Sequence, residues 1–212
     1  MHRTKRNTLY ERIIKRGVDF LLALIGLIVA AIPMAVVAVA IKAESKGPVI
    51  FKQNRLGYKG KVYEMYKFRS MCVGAESKGS GVYSYKNDTR VTKVGKFIRA
   101  TSIDELPQLV NVLKGDMALV GFRSPLTYHP WSWEEYTEEQ KKMFDVRPGI
   151  TGWAQVNGRK TVEWNHRIEL NVWYAENVSF LLDLKILFMT VFKVLTNADN
   201  ENVREMVKGK RN

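Results

Sequence analysis

The longest hydrophobic run in the chain extends from Val18 to Ile41 and carries a single charge, Asp19, at its edge. As a straight helix it would measure about 36 Å, against roughly 30 Å for the hydrocarbon core of a bilayer. Pro33 lies inside the run, where it removes a helical hydrogen bond and favours a bend. The arms on either side, about 22 Å and 12 Å long, are each too short to cross. The pattern predicts a helix-break-helix that re-enters the membrane.

Basic residues flank this segment on both sides. Residues 1–17 and 42–61 each contain six Lys or Arg and one acidic residue, so each flank contributes net +5 to a total of +13. Because the positive-inside rule then favours neither orientation, we expect both flanks to face the cytoplasm. A kinked single span, and a signal peptide with its cleavage site in the segment 38–40, remain alternatives.

Beyond this segment, hydrophobic periodicity alternates between strand and helix. Residues 48–55 and 61–69 are β-rich and joined by glycines, which predicts a short β-hairpin. From Leu106 to Leu113 apolar residues recur at helical spacing, which predicts an amphipathic helix ending near Gly115. The expected fold class is α/β, of an irregular α+β type with several amphipathic and interfacial helices.

The segment from Phe180 to Leu195 is also strongly apolar. It contains Asp183 and two lysines, and as a helix it would span only about 24 Å. We therefore expect it to lie at the membrane interface or in the core.

Composition narrows the class of protein further. The chain has 212 residues, 46% of them hydrophobic, and one cysteine, Cys72. This length fits one compact domain with an appendage. A lone cysteine excludes a disulfide framework or a cysteine-based zinc site, and fits a reducing compartment.

Two adjacent carboxylates, Asp104 and Glu105, precede the helix that starts near Leu106. With Pro107 in the first turn, Asp104 is the expected N-cap and Glu105 the first helical residue, where the helix dipole favours ionised side chains. An ionised carboxylate can attack phosphorus, and its neighbour can hold a divalent cation. Helix capping alone explains the same spacing, so a catalytic role requires cations nearby.

Several basic residues are candidates for binding phosphate, since ammonium groups and guanidinium forks match phosphate oxygens. They are Lys67, Arg69, Arg99, Arg123, Arg147 and Arg159. Each one alone is also compatible with a solvated surface charge. Gly149 and Gly152 either permit close backbone approach to a ligand or simply reverse the chain.

Four motifs in order along the chain carry a resemblance to a known family. They are KFRSM at 67–71, IRATSIDELPQLVNVLKGDMALVG at 98–121, RPGITGWAQVNGR at 147–159 and SFLLDLKIL at 179–187. Together they closely resemble the bacterial sugar transferase family, the monotopic polyprenyl-phosphate phosphoglycosyl transferases, in a minimal catalytic form. The resemblance extends from about residue 12 to about residue 195.

The resemblance implies a reaction at the cytoplasmic membrane, with the catalytic domain facing the cytoplasm. A sugar phosphate would pass from a UDP-sugar to polyprenyl phosphate with release of UMP, as the first membrane step of polysaccharide or glycan assembly. Asp104 would be the nucleophile and form a phosphosugar-aspartyl intermediate, and Glu105 with Mg²⁺ would stabilise the phosphoryl charge. Lys67, Arg99 and Arg123 match basic family positions, and Asp183 matches a family acid that is a further candidate metal ligand.

On this interpretation the chain has four segments. They are a basic N-terminal segment (1–17), a re-entrant membrane segment (18–41), a cytoplasmic catalytic domain (42–196) and a polar tail (197–212). The expected partners are the UDP-sugar, polyprenyl phosphate and membrane lipids, and a homodimer on the membrane is compatible with the sequence. Which sugar is transferred stays open.

The sequence departs from the family pattern at three places. Ile32 stands before Pro33 where the family commonly has serine. The family's VGPRPL appears as VGFRSPL, with Phe122 in place of proline and Ser124 inserted. Asn171 lies near the position where the family often has an acid before its WY pair.

Two other functions compete with the transferase. One is a non-enzymatic, basic membrane-binding module, and the other is a single-pass protein whose domain lies outside the cell. Nucleic acid is not an expected partner, because only +4 of the net charge lies outside the apolar segment and its two flanks.

Overall fold

The computed structural model describes residues 9–77, 81, 88–157 and 163–196. The predicted tail 197–212 and Arg159 lie outside these ranges. The helices are α1 (Lys15–Glu44), α2 (Lys93–Ala100), α3 (Gln108–Lys114), α4 (Glu138–Lys141), α5 (Trp153–Val156), α6 (Trp164–Asn177) and α7 (Phe180–Leu195). The strands are β1 (Ile50–Leu56), β2 (Val62–Phe68), β3 (Ala118–Val120) and β4 (Gly149–Thr151). The predicted mixed α+β class is confirmed.

Helix α1 contains the long apolar segment and continues directly from a π-helical turn at Tyr10–Ile14. It runs without interruption through Pro33, so the expected break in helical structure at that residue is absent. The helix also extends three residues beyond the predicted segment at each end. Within the described part of the chain it is the one helix long and apolar enough to span a membrane. Most of its apolar side chains are exposed; Ile32, for example, is 78% exposed.

Both ends of α1 are docked on the same folded domain. Near its start, Asp19 Oδ1 accepts a hydrogen bond of 3.2 Å from the backbone N–H of Leu119, and Ala23 is fully buried. Near its end, Ile41 is 2% exposed and packs in one cluster with Phe68. Asp19 and Ile41 are about 33 Å apart along the helix, so the domain contacts α1 over a length comparable to a bilayer core.

Strands β1 and β2 form the predicted antiparallel hairpin, in register from Ile50 opposite Phe68 to Leu56 opposite Val62. Helix α3 packs on this hairpin through Asn111, which is fully buried. The Asn111 side chain accepts from the N–H of Tyr66 at 3.0 Å and donates to the carbonyl of Glu64 at 2.7 Å. This buried amide fixes the position of α3 against β2.

A second small sheet pairs β3 with β4 in parallel. Its backbones approach so closely that a Cβ on Gly152 would lie 1.8 Å from the carbonyl oxygen of Gly121, and a Cβ on Gly149 would lie 2.1 Å from the Gly121 nitrogen. The glycines of the RPGITG motif therefore permit backbone packing between the strands. This packing role is neither of the two considered from the sequence, and close approach to a ligand stays a prediction.

Helix α7 begins and ends at the residues bounding the predicted apolar segment. One face is buried through Asp183 and Ile186, whereas Leu181 and Phe188 on the opposite side are each 75% exposed. The helix thus combines a core face with an exposed apolar face. That arrangement is typical of a helix lying at a membrane interface.

Candidate active site

Asp104 and Glu105 lie in a separate 3₁₀ turn, Ile103–Glu105, between α2 and α3. Because α3 begins at Gln108 with Pro107 as its N-cap, the prediction that Asp104 caps this helix was wrong. The turn is entered through Ser102, whose φ of 58° is left-handed, and is closed by a 3.1 Å bond from the N–H of Leu106 to the carbonyl of Ile103. Both carboxylates are partly exposed.

The residues on either side of the two carboxylates anchor this turn on α1. Ile103 packs against the cluster that contains Ile41, near the end of α1. Leu106 packs against the cluster that contains Ala23, near its start. The carboxylates are therefore held between the two docked ends of the apolar helix.

Lys67, at the end of β2, pairs with Glu105. Its Nζ lies 2.8 Å from Glu105 Oε1, and 18% and 16% of the two side chains are exposed. Such a largely buried pair is screened less by water than a surface pair. The ammonium of Lys67 is thereby held beside the carboxylates.

Arg99, in the last turn of α2, is the second cation near the carboxylates. Its Nε donates a 2.7 Å hydrogen bond to Ser70 Oγ. Burial lowers the pKa of the Arg99 guanidinium, while the charges of Asp104 and Asp88 act in the opposite direction. The charge of Asp104 therefore acts on Arg99. Ser70 was missed in the sequence analysis, although it belongs to the KFRSM motif.

The structure thus brings together four of the predicted residues, Asp104, Glu105, Lys67 and Arg99. A carboxylate can act as a nucleophile toward phosphorus, and neighbouring cations can bind the phosphoryl oxygens and stabilise developing charge. These four side chains supply both kinds of group in one partly exposed place.

The two carboxylates could hold Mg²⁺ only together with ligands from the substrate and from water. Among the described residues, no group of three or more His, Cys, Asp or Glu side chains is placed to hold a metal ion. Mg²⁺ commonly uses only one or two protein carboxylates, together with waters and substrate phosphates. Adjacent Asp104 and Glu105 fit that type of site.

Arg69 has a structural role in place of the predicted phosphate contact. It is 5% exposed, and its guanidinium donates to the carbonyls of Ser45 and Lys46 at 2.8 Å and to the Ser45 hydroxyl at 2.8 Å. Ser45 is the C-cap of α1. Arg69 therefore ties the end of α1 to the end of β2.

Arg147 is likewise engaged in packing and not with the carboxylates. Its Nε donates to the carbonyl of Gly115 at 2.9 Å, and its guanidinium lies 5.5 Å from the ring centre of Tyr58. Gly115 ends α3, whereas Asp104 and Glu105 precede its start. The structure therefore does not group Arg147 with the two carboxylates, and phosphate binding by Arg147 stays a prediction.

Asp183, predicted as a further candidate metal ligand, belongs to a buried polar cluster. Its Oδ2 accepts from Lys15 Nζ and Tyr10 Oη, each at 2.7 Å, and its Oδ1 accepts from Tyr174 Oη at 2.7 Å. Both carboxylate oxygens are thus occupied. The cluster joins α7 and α6 to the start of α1.

Arg123 is exposed and lies after β3, at a cleft formed with α5 and α6. Neither family departure next to it disturbs the packing. Phe122 is fully buried against Phe144, with ring centres 5.0 Å apart, and Ser124 Oγ donates to the carbonyl of Leu56 at 2.6 Å.

Comparison with known proteins agrees with these features. A family model described as bacterial sugar transferase matches residues 10–197. The chain belongs to this family. The sequence resemblance is thereby confirmed.

Curated relatives match most of the length of this chain. The sugar transferase EpsL of Bacillus subtilis is 46% identical over 186 residues, which cover 87% of this chain and 89% of EpsL. The UDP-glucose:undecaprenyl-phosphate glucose-1-phosphate transferase of Escherichia coli is 42% identical over 192 residues, 88% of this chain and 41% of that protein. A UDP-N-acetylgalactosamine-undecaprenyl-phosphate N-acetylgalactosaminephosphotransferase of Aeromonas hydrophila is 42% identical over 186 residues, 86% of this chain and 44% of that protein. The chain thus spans less than half the length of the last two relatives.

Proposed function

We propose that this chain transfers a sugar phosphate from a UDP-sugar to polyprenyl phosphate at the cytoplasmic face of the membrane. The observation that carries the proposal is the meeting of Asp104 and Glu105 with Lys67 and Arg99 on a turn anchored to the apolar helix α1. The names of the relatives from E. coli and A. hydrophila support the classes of donor and acceptor.

The reaction proceeds in two displacements at the sugar-bearing phosphorus. An Asp104 carboxylate oxygen bonds to this phosphorus, and the bond from phosphorus to the bridging oxygen breaks, so that UMP leaves with that oxygen. A phosphate oxygen of the polyprenyl phosphate then attacks the same phosphorus and displaces Asp104. The products are UMP and a polyprenyl diphosphate sugar.

The cations near Asp104 act on the charge of the phosphoryl group. Lys67 and Arg99 bind the non-bridging oxygens of the phosphoryl group. Their attraction for these oxygens is stronger where water is excluded from the site. Asp104 and Glu105 would hold Mg²⁺ together with substrate phosphates. When bound, Mg²⁺ would neutralise part of the diphosphate charge.

The proposal also places both ends of α1 on the cytoplasmic side of the membrane, so that the helix, although unbroken at Pro33, enters the membrane without crossing it. The contacts of Asp19 and Ile41 with one domain support it, because a single span would place these residues on opposite sides of the bilayer. Glu44 also accepts from the N–H groups of Lys93 and Val94, at 2.7 and 3.0 Å, so the end of α1 is part of the domain's own fold. This continuity argues against cleavage of α1 as a signal peptide.

The identity of the sugar does not follow from overall similarity. The relatives from E. coli and A. hydrophila are equally identical to this chain, at 42%, yet their names specify glucose and N-acetylgalactosamine. A panel of UDP-sugars is therefore needed.

UMP release from such a panel tests the proposed function. The protein in nanodiscs is incubated with Mg²⁺, with and without polyprenyl phosphate, and compared with Asp104→Asn. We expect lipid-dependent multiple turnovers with at least one sugar, and a loss of at least a thousandfold in Asp104→Asn. As a matched control, Asp116→Asn removes a carboxylate that pairs with Lys114 at 3.2 Å, and it should keep its activity. Full activity in Asp104→Asn, or no UMP from any UDP-sugar with folded protein, would favour a non-enzymatic membrane-binding module.

A further inference from the structure

Ser70 follows the end of β2 and accepts a hydrogen bond from Arg99, one of the two cations near the carboxylates. The bond joins Arg99 Nε to Ser70 Oγ at 2.7 Å, and Ser70 is 8% exposed. The guanidinium is a planar fork, so an acceptor on its Nε also sets the direction of its two terminal nitrogens. Ser70 therefore limits where those nitrogens can lie.

The backbone of Ser70 is itself held tightly against the start of α2. Its carbonyl accepts from the N–H of Thr92, the N-cap of α2, at 3.1 Å. A Cβ on Gly95 would lie 1.9 Å from the same carbonyl oxygen, so the first turn of α2 packs directly on it. The hydroxyl that Arg99 contacts thus belongs to a residue whose position is fixed by the helix that carries Arg99.

A buried ion pair, Asp88 with Arg90, belongs to the same part of the fold. The N–H of Cys72 donates to the carbonyl of Arg90 at 2.9 Å, just beyond Ser70. None of the Asp88 side chain is exposed, and 8% of the Arg90 side chain is. Arg90 Nε and Nη2 donate to Asp88 Oδ1 and Oδ2 at 2.9 and 2.6 Å, a bidentate pair that holds the carboxylate in one orientation.

The Asp88 carboxylate acts on Arg99 through its charge. Its hydrogen bond to Arg90 lowers the pKa of Asp88, so this buried carboxyl stays ionised. The charge of Asp88 raises the pKa of Arg99, and this effect is larger than the opposite effect of Arg90. Asp104 acts on Arg99 in the same sense as Asp88. Two carboxylates, one buried and one partly exposed, therefore attract the same guanidinium.

We propose that Ser70 and Asp88 are positioning residues that hold the Arg99 guanidinium where it binds the phosphoryl oxygens of the donor. The inference rests on the proposed function, which gives Arg99 its part in catalysis. Ser70 acts by its hydrogen bond to Nε, and Asp88 acts by its charge while Arg90 keeps it in place. Neither Ser70 nor Asp88 needs to touch the substrate. Electrostatic stabilisation of a transition state depends on such preorganised geometry, so a misplaced guanidinium loses much of its effect.

Two variants each remove one positioning interaction. Ser70→Ala deletes the acceptor of the 2.7 Å bond, and Asp88→Asn removes the charge at nearly constant shape. UMP release is measured for the full chain in nanodiscs, with polyprenyl phosphate and the UDP-sugar that the parent chain turns over. We expect kcat to fall at least tenfold in each folded variant, with less than a threefold change in KM. That division of effects indicates an interaction lost mainly in the transition state.

Ser45→Ala is the matched control for Ser70→Ala. Ser45 Oγ also accepts from a buried arginine, Arg69 Nη2 at 2.8 Å, but Arg69 joins the end of α1 to the end of β2. The melting temperature should fall by a similar amount in the two serine variants, whereas kcat/KM should change less than twofold in Ser45→Ala. Equal losses of activity in the two would overturn the inference, because both serines would then act through stability.

A double-mutant cycle with Arg99→Met separates positioning from an independent role. In the Arg99→Met background, Ser70→Ala and Asp88→Asn should each change kcat less than twofold, because no guanidinium is left to position. Effects as large without Arg99 as with it would overturn the inference. Parent-like kcat in folded Ser70→Ala would also overturn it, and this variant decides the outcome if Asp88→Asn does not fold.

The proposed function and this inference fail in different ways. In each of the contradicting outcomes above the parent chain still turns over the donor, so the proposed function stands. A folded parent chain that releases no UMP from any UDP-sugar would instead overturn the proposed function, and this inference with it.

Discussion

Lys67 Nζ lies 2.8 Å from Glu105 Oε1, and less than a fifth of either side chain is exposed. The same hairpin carries a second pair of the same chemistry, Lys52 with Glu64 at 3.0 Å, in which 58% and 40% of the side chains are exposed. The two ion pairs are thus similar in chemistry and distance but differ in how far their side chains are buried. Only the deeper pair lies beside Asp104.

Replacement of Lys67 by methionine should reduce catalysis far more than stability. It removes a cation that binds the phosphoryl oxygens and leaves Glu105 partly buried without this partner. We expect kcat/KM to fall at least a hundredfold, as measured by UMP release. Lys52→Met removes an exposed cation of equal size, and its kcat/KM should change less than threefold. Equal losses in the two variants would show that Lys67 acts only through the general charge of the hairpin.

Replacement of Asp183 by asparagine should destabilise the fold without altering the dependence of activity on Mg²⁺. The change removes the 2.7 Å pair with Lys15, which is 10% exposed and keeps Asp19 at 3.5 Å. Loss of a hydrogen bond to a charged group typically costs about 1.5 to 3 kcal/mol. Thermal unfolding in detergent measures the effect. Asp145→Asn breaks the exposed pair with Lys59 and should cost less than about 1 kcal/mol. A rise in the Mg²⁺ concentration needed by folded Asp183→Asn would instead support Asp183 as a metal ligand.

Glycine at position 152 should be required for folding. A Cβ there would lie 1.8 Å from the carbonyl oxygen of Gly121, and neither backbone can move without separating β3 from β4. Gly152→Ala should therefore give little folded protein when its yield is compared by size-exclusion chromatography. Gly17→Ala is the control, because nothing lies within 4 Å of a Cβ on Gly17 and alanine favours the helix. If Gly152→Ala is obtained in normal yield but no longer binds the donor, the glycine is required for close approach to the ligand and not for folding.

Local pattern predicted the elements that are long or strongly periodic. The apolar helix and α7 appear close to their expected limits because each is a long apolar run, and the hairpin does so because its strands are β-rich and joined by glycines. The three-residue strands β3 and β4 carry no such signal. Their pairing depends on glycines whose role only the folded backbone reveals.

The candidate site was predictable in its residue types but not in its grouping. The motifs pointed to Asp104, Glu105, Lys67 and Arg99, which the structure brings together. They also pointed to Arg69 and Arg147, whose guanidiniums instead bind backbone carbonyls at the ends of α1 and α3. A guanidinium fork suits a helix C-terminus as well as it suits a phosphate, so sequence alone does not separate these roles.

The position of the domain relative to the membrane can be tested with the native cysteine. Cys72 is the only cysteine of the chain and is exposed beyond the C-terminal end of α1. Leu9, 65% exposed, precedes α1 and provides a second position as Leu9→Cys in a Cys72→Ser background. If α1 re-enters the membrane, a membrane-impermeant maleimide should label neither cysteine in intact cells and both in inside-out vesicles. A single span would give opposite accessibility at the two positions, and labelling of Cys72 in intact cells would place the domain outside. Because Asp19 and Ile41 are held on one domain, we expect Cys72 and Leu9→Cys to be labelled from the same side.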